Sequence, residues 1–151
     1  NWYAVAGIHD NDDSTANKEF EPEGWHVPSV DEWTTIEEYL IANGYNYDGT
    51  TMENKIAKSM ASTSGWNIGT NTGVPGNDQS LNNSSGFNAF PEGHRLGNGS
   101  FLNEGYYAYF WSSTGRDTSD AWNRNLGNLY SSMSSNIYFK QGGFSVRLVR
   151  D

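Results

Sequence analysis

The chain contains no cysteine among its 151 residues. This absence excludes a disulfide framework, a thiolate metal site and a cysteine nucleophile, although it does not fix the cellular compartment. The sequence also lacks an apolar run of membrane-spanning length, so no membrane insertion is expected. The first residue is Asn1 and not an initiator methionine, which leads us to expect a processed protein or the C-terminal part of a longer one.

Basic residues are scarce. The 9 Lys and Arg residues face 18 Asp and Glu residues, which gives a net charge of −9. This balance argues against a nucleic-acid partner, because phosphate backbones reward clusters of Lys and Arg. Hydrophobic residues (35%) and charged residues (18%) are both below the usual globular averages, but aromatic residues reach 15% and each ring buries a large apolar area. We therefore expect one folded domain over residues 1–151.

The strongest helix signal begins at Ser29. This residue suits an N-cap, and Glu32 stands three positions later, where its carboxylate can reach back to the Ser29 amide. Apolar residues then recur with helical spacing at Trp33, Ile36 and Leu40. Gly44 suits the residue that ends the helix. The sequence therefore predicts a helix over about residues 30–43.

The rest of the N-terminal half is less regular. Trp2, Tyr3, Val5 and Ile8 favour an opening strand that ends in an acidic loop. A second helix is predicted over residues 52–60, with Ile56 and Met60 buried. Residues 62–105 are rich in Gly, Asn, Ser and Thr, and the aromatic residues scattered among them predict long ordered loops.

The C-terminal part carries the strand signals. Alternating apolar and polar residues predict strands at 106–113, 120–126, 136–140 and 144–149. Glycines at 127, 142 and 143 suit turns between antiparallel strands. The fold class expected from the sequence is therefore α+β, with one or two early helices packed on a small antiparallel sheet.

Several motifs occur in order along almost the whole chain. They are Asn1-Trp2-Tyr3-Ala4-Val5, Pro22-x-Gly24-Trp25-His26-Val27-Pro28-Ser29-x-x-Glu32-Trp33, Gly86-Phe87-Asn88-Ala89-Phe90-Pro91-x-Gly93, Phe110-Trp111-Ser112-Ser113-Thr114, Ala121-Trp122 and Gly143-Phe144-Ser145-Val146-Arg147-x-Val149-x-Asp151. This set resembles the Fibrobacter succinogenes major paralogous domain, which is found in secreted and surface proteins of Bacteroidetes-type bacteria. The resemblance implies a C-type-lectin-like fold with adjacent N- and C-terminal strands. It also implies an extracellular protein, secreted or attached to the cell surface.

The sequence departs from the pattern of this family in two ways. Members often carry cysteines at the positions that Glu21 and Leu148 occupy here, so the disulfide that the resemblance implies is absent. Members usually also have further strands before the Asn1 motif. Packing must therefore hold the junction between the helix entry and the last strand.

The resemblance to lectins does not extend to a calcium-dependent sugar site. The segment Trp122-Asn123-Arg124 is similar to the Trp-Asn-Asp motif of calcium-dependent lectins, but Arg124 places a cation where a ligand oxygen is needed. Glu21-Pro22-Glu23 is similar to the Glu-Pro-Asn sugar motif, but it lies far upstream of Trp122. Asp10, Asp12 and Asp13 do not match an EF-hand, and a solvated acidic loop is favoured over a calcium site. We therefore expect no cofactor, with structural calcium as the open alternative.

No catalytic constellation is evident in the sequence. His9, His26 and His94 lack metal-ligand spacing, and there is no G-x-S-x-G elbow. A structural hydrogen bond is the favoured role of His26. Trp25, Trp33, Trp66 and Trp111 are predicted to be core residues. The sequence favours a protein that is not an enzyme.

The segment 120–140 is the candidate recognition surface, because Tyr, Trp, Ser, Asn and Arg are the residue types that such surfaces favour. The candidate ligand-binding residues are Trp122, Asn123, Arg124, Asn125, Asn128, Tyr130, Ser132, Asn136 and Tyr138. A polar strand meander with solvated faces remains an equal alternative. A further alternative is a segment diversified by a retroelement, since mutagenesis of adenine-rich codons yields Asn, Tyr, Ser and Asp.

These observations predict a secreted or surface-displayed module that binds a glycan or protein on a cell surface. The alternative from a different class is a structural domain of a surface fibre, adhesin or phage-tail-like appendage, which contacts other domains or subunits.

Overall fold

The computed structural model describes residues 1–7 and 21–151. Ile8, His9 and the acidic loop with Asp10, Asp12 and Asp13 lie outside the described residues. Within the described residues the architecture is mixed α+β: helices and three small antiparallel sheets are joined by long loops.

The N-terminal segment is a helix and not the predicted strand. Helix α1 spans Trp2–Val5, and the side chain of Asn1 caps it by accepting a hydrogen bond from the Ala4 amide at 3.2 Å. Trp2 and Val5 are buried and lie one helical turn apart, so the same apolar residues that favoured a strand satisfy helical spacing. The Trp2 indole Nε1 donates to the Ser112 carbonyl at 2.8 Å, which attaches this helix to the sheet.

The predicted first long helix is confirmed. Helix α2 spans Val30–Ala42, and the capping box between Ser29 and Glu32 is complete. The Ser29 hydroxyl accepts from the Glu32 amide at 3.3 Å, and the Glu32 carboxylate accepts from the Ser29 amide at 2.8 Å. Gly44 follows the helix with a φ of +76°, the left-handed conformation that glycine adopts most readily.

The predicted second helix is shorter than residues 52–60. Helix α3 spans Ala57–Met60 only, although Ile56 and Met60 are buried as predicted. The Asn46 side chain explains the difference. Its amide group donates to the carbonyls of Met52 and Glu53, and its carbonyl accepts from the Lys55 amide at 2.9 Å. These bonds take backbone groups that a longer helix would use.

Strands are numbered in chain order. The main sheet has three antiparallel strands, which are Tyr107–Gly115 (β4), Asp120–Gly127 (β5) and Ser134–Phe139 (β6). They lie side by side in the order β4-β5-β6. Three of the predicted strands are thus confirmed, with small shifts of their ends. Two shorter strands, His94–Arg95 (β2) and Phe101–Leu102 (β3), form a separate antiparallel pair.

The predicted strand at residues 144–149 is mostly irregular. Its last part, Val149–Arg150 (β7), pairs antiparallel with Trp25–His26 (β1). Residues 143–145 instead make single bridges, Gly143 to Arg95 and Ser145 to Phe110. The segment thus bonds to different strands in turn, which prevents one regular ladder. The C-terminal strand therefore has an early partner, but that partner is β1 and not a strand at Asn1.

Two apolar clusters hold the sheet from its two faces. The larger lies between α2, α3 and the sheet, with these members among its buried residues: Trp33, Leu40, Ile56, Met60, Trp66, Phe110 and Leu126. The smaller lies on the opposite face and contains Trp2, Val5, Val27, Trp111 and Ala121. Trp33, Trp66 and Trp111 are core residues as predicted. Trp25 is not, because 44% of it is exposed beside Pro22 and Leu148 in a shallow groove.

In the part of the chain that the structure describes, no helix has the length and apolar character needed to cross a membrane.

Candidate ligand-binding surface

The register of the main sheet sorts the candidate residues onto two faces. Tyr109, Asn125 and Ser134 lie opposite one another across the three strands, and so do Trp111, Asn123 and Asn136. Since side chains alternate along each strand, these rows share one face. The same face carries Trp111 and Ala121 of the smaller apolar cluster. We call its other, polar and tyrosine residues the polar face: Tyr107, Tyr109, Asn123, Asn125, Ser134, Asn136 and Tyr138.

A continuous row of aromatic rings crosses this face. Tyr107 stacks on Tyr109 with ring centroids 5.3 Å apart, and Tyr109 stacks on Phe144 at 4.8 Å. At the other end Tyr130 lies 6.4 Å from Tyr107 and is 55% exposed. We call Tyr130, Tyr107, Tyr109 and Phe144 the aromatic row. It runs from three half-buried rings to the exposed ring of Tyr130.

Four of the predicted binding residues are buried. They are Asn123, Arg124, Asn125 and Asn128. The Asn125 amide donates to the Asn123 side-chain carbonyl at 3.4 Å, and the Asn128 amide donates to the Asn67 carbonyl at 3.2 Å. These side chains therefore bond to other groups of the protein.

Arg124 lies on the face opposite the polar face and joins the sheet to α2. Its guanidinium donates to the Thr34 hydroxyl at 2.9 Å and to the Val30 carbonyl at 3.4 Å, and it also bonds the Ser135 hydroxyl. Burial lowers the pKa of the Arg124 guanidinium. The residue has the contacts of a structural cross-link. Trp122, two residues earlier, is half-buried on the same face.

The remaining predicted residues reach solvent. Tyr130 and Asn136 are exposed, whereas Ser132 and Tyr138 are half-buried. The structure thus brings Asn123, Asn125, Asn136 and Tyr138 together on the polar face and places Tyr130 at its end. Asn128 and Ser132 lie in the connection from β5 to β6.

Sequence analysis missed His94, Tyr107 and Tyr109. The His94 ring packs edge-on against Tyr109 at 5.0 Å and against Tyr138 at 5.5 Å. Burial lowers the pKa of His94, and its Nδ1 has no hydrogen-bond partner among the described residues. The alternation of Tyr107 and Tyr109 with apolar Ala108 and Phe110 was a signal for the two tyrosines. No sequence signal brings His94 to them.

The geometry gives no support to a lectin-type calcium site at Trp122-Asn123-Arg124. Asn123 and Arg124 point to opposite faces of the sheet, and the Arg124 guanidinium is bound to α2. Within residues 1–7 and 21–151, no group of three His, Asp or Glu side chains is placed to hold a metal ion.

The family comparison covers the framework that carries this surface. The sequence model of the Fibrobacter succinogenes major domain matches residues 1–150. The chain belongs to this family. No curated protein and no solved structure matches it.

The Gly24–Trp33 motif of this major-domain chain links three parts of the fold through His26. His26, on β1, lies between two carboxylates: its Nε2 is 2.6 Å from Oε1 of Glu32 and its Nδ1 is 2.6 Å from Oδ1 of Asp151. Hydrogen bonds to Asp151 and then to Glu32 raise the pKa of His26. The motif thus connects β1, the start of α2 and the residue after β7.

Proposed function

We propose that this major-domain protein is a non-enzymatic, secreted or surface-displayed binding module with a C-type-lectin-like fold. It recognises a glycan or a protein through the polar face and the aromatic row. The observation that carries the proposal is the course of the aromatic row, which leads from the half-buried ring of Phe144 to the exposed ring of Tyr130.

The composition of this surface supports recognition. Tyrosine offers a large, rigid contact area and a hydroxyl group, while Asn and Ser supply adaptable hydrogen bonds. Tyr107 and Tyr109 are held in place by stacking, so little side-chain entropy is lost when they contact a ligand. The buried Asn123 and Asn125 lie on the adjacent strand β5, where Asn125 is the direct partner of Tyr109. The surface is therefore organised before a ligand arrives.

Binding screens against glycans and bacterial or host surface proteins test the proposal. For a ligand so identified, we expect Tyr130→Ala to weaken affinity about tenfold or more, which corresponds to about 1.4 kcal/mol. Asn136→Ala should weaken it less. Tyr39→Ala is the matched control, because Tyr39 is also exposed (60%) but lies on α2.

Trp122→Ala separates the two faces of the sheet. It lies opposite the polar face, so we expect its replacement to leave the affinity unchanged. A ligand whose affinity depends on Trp122 and not on Tyr130 or Asn136 would move the site to the other face and contradict the proposal.

The second candidate function is assembly into a larger surface structure. Strand β6 is the outer strand of the main sheet, and Ile137 and Phe139 are exposed on it, both on the face of Trp122. Exposed edge strands with apolar side chains pair readily with a strand of another chain. A self-association seen by sedimentation that Ile137→Lys abolishes would support assembly. A monomer at all concentrations would count against self-assembly through this edge.

A further inference from the structure

A second concave site lies beside the short strand pair β2–β3. It is a groove of about 340 Å³ formed by residues 92–95, Phe101 and residues 143–145. Apart from Phe144, which also ends the aromatic row, these residues belong to neither the polar face nor the aromatic row. We propose that this groove binds one ring of a neutral saccharide. This proposal does not depend on what the polar face recognises.

Backbone hydrogen bonds build the groove as a rigid unit. Arg95 and Gly143 exchange two bonds, from the Arg95 amide to the Gly143 carbonyl at 2.9 Å and from the Gly143 amide to the Arg95 carbonyl at 2.8 Å. The Ser145 amide donates to the Tyr109 carbonyl at 3.1 Å, and the Gly93 amide donates to the Tyr107 carbonyl at 2.9 Å. The two walls of the groove, residues 92–95 and residues 143–145, are therefore both attached to β4. A site that needs little rearrangement loses little affinity to ordering.

Gly93 allows β3 to lie close to residues 92–95. Its φ is +66°, and a Cβ at this position would lie 2.1 Å from the Leu102 carbonyl oxygen. Any side chain would therefore push β3, which carries Phe101, away from the groove. In the strand pair, Phe101 is the cross-strand partner of Arg95.

The inner side of the groove is aromatic and uncharged. His94 is only 8% exposed and packs edge-on against Phe144 with ring centroids 5.7 Å apart. Its buried environment disfavours the protonated ring. The groove therefore offers an apolar wall to a ligand.

The rim carries one carboxylate, one guanidinium and one exposed ring. Oε2 of Glu92 accepts a hydrogen bond from the Ser145 hydroxyl at 3.1 Å, which orients the carboxylate. Arg95 is exposed on the other side, and Phe101 is 75% exposed between solvent and the groove. The charges of the carboxylate and the guanidinium offset one another, and both groups can bond hydroxyl groups. The exposed ring of Phe101 offers a flat surface for the C–H face of a pyranose.

The size of the groove fits this ligand class. Small-molecule sites span about 300–1,000 Å³ and combine apolar walls with a few oriented polar groups. The volume of this groove is near the lower end of that range, so the groove suits one sugar ring of a glycan while the adjoining rings stay in solvent. A charged sugar would meet a like charge at one of Glu92 and Arg95 and an opposite charge at the other, so its charge should bring no net gain in affinity.

Titration of the ¹⁵N-labelled protein with neutral monosaccharides tests the proposal. The probes are glucose, galactose, mannose and N-acetylglucosamine. We expect saturable shifts of the backbone amides of residues 93–95 and 143–145, with a Kd on the order of 1–10 mM for at least one sugar. Phe101→Ala should weaken this binding tenfold or more, and Glu92→Gln should weaken it by a smaller factor. The spectrum of each variant also shows whether it has folded.

Leu81→Ala is the matched control, because Leu81 is 65% exposed but lies in the short 3₁₀ helix Gln79–Leu81, which does not line the groove. Tyr130→Ala should also leave sugar binding at the groove unchanged. If Tyr130→Ala abolished the sugar shifts and Phe101→Ala did not, the sugar would bind the aromatic row and the groove proposal would be wrong, while the proposed function would stand. The groove proposal would also be wrong if none of the sugars gave saturable shifts, or if glucuronate or glucosamine bound more tightly than the neutral sugars.

Discussion

The Nδ1 of His26 lies 2.6 Å from Oδ1 of Asp151, a residue 125 positions later in the chain. The other ring nitrogen lies 2.6 Å from the Glu32 carboxylate, which also caps helix α2. One imidazole thus links the first strand pair to the long helix. In a chain without cysteine, this contact holds a junction that the family resemblance associates with a disulfide.

The stability of the protein should depend on pH through His26. Its pKa is raised above 6.5, chiefly by the bond to Asp151, so its contribution is fully present below pH 6.5 and is lost as pH rises through the raised value. The pKa of Glu32 is lowered below 4.5, chiefly by the Ser29 amide, so its contribution is present above pH 4.5 and is lost on acidification through the lowered value. Both contributions are present between pH 4.5 and 6.5.

Thermal unfolding of the wild type and of His26→Gln across pH 4–9 checks this prediction. We expect the difference in midpoint between the two proteins to be largest near pH 5–6 and to shrink as the pH rises above 6.5. A difference that stayed constant over this range would show that protonation of His26 does not contribute to stability.

Restoring the cysteines that the family often carries should stabilise the protein. Leu148 lines a groove with Pro22, the neighbour of Glu21. We expect the double variant Glu21→Cys, Leu148→Cys to form a disulfide, and closure of so long a loop should contribute about 2–4 kcal/mol to the free energy of unfolding. Denaturant unfolding of the oxidised and reduced forms of the same variant measures this effect. Equal stability of the two forms would contradict the prediction.

Two glycines of one motif should differ in their tolerance of a side chain. Gly86 and Gly93 both have positive φ, but a Cβ at Gly86 meets nothing within 4 Å, whereas at Gly93 it would overlap the Leu102 backbone. We expect Gly86→Ala to lower the free energy of unfolding by about 1–2 kcal/mol through backbone strain alone. Gly93→Ala should cost a further ~1–3 kcal/mol through overlap. Chemical denaturation compares the two, and equal losses would refute the close approach at β3.

Arg124 should be a stability residue. We expect Arg124→Ala to destabilise the protein by about 2–4 kcal/mol, because it leaves a cavity and removes the bonds to α2 and β6. Arg116→Ala is the matched control, since that side chain is exposed and its nearest carboxylate, on Asp117, is 3.8 Å away. Its cost should stay within about 0.5 kcal/mol. Similar costs for both variants would mean that the buried contacts of Arg124 contribute little.

Sequence signals between neighbouring residues correctly predicted helix α2 and strands β4 and β5. The capping box at Ser29 and the glycine at position 44 fix helix α2, because a cap and a stop are properties of neighbouring residues. Alternation likewise predicted β4 and β5 to within two residues. The prediction for the opening segment was wrong because it followed the residue types, which favour a strand, whereas the spacing of Trp2 and Val5 fits one face of a helix. The bond from Trp2 to the Ser112 carbonyl attaches this helix to the sheet.

The candidate surface was only partly predictable. The residues of segment 120–140 could be named from composition, but their division between two faces depends on the register with β4 and β6. Arg124 and Asn123 are adjacent in sequence and lie on opposite faces. The groove at Phe101 could not be predicted, since its walls come from three separate parts of the chain.

The sequence by itself determined the family, the helix α2, the main strands and the absence of any disulfide, because these follow from local patterns and residue types. The tertiary structure alone decided which polar side chains are buried as supports and which reach solvent, and it alone brought His94 to the tyrosines and His26 to Asp151. Those outcomes depend on contacts between distant segments. Such contacts are set by the packing of the whole domain and not by neighbouring residues.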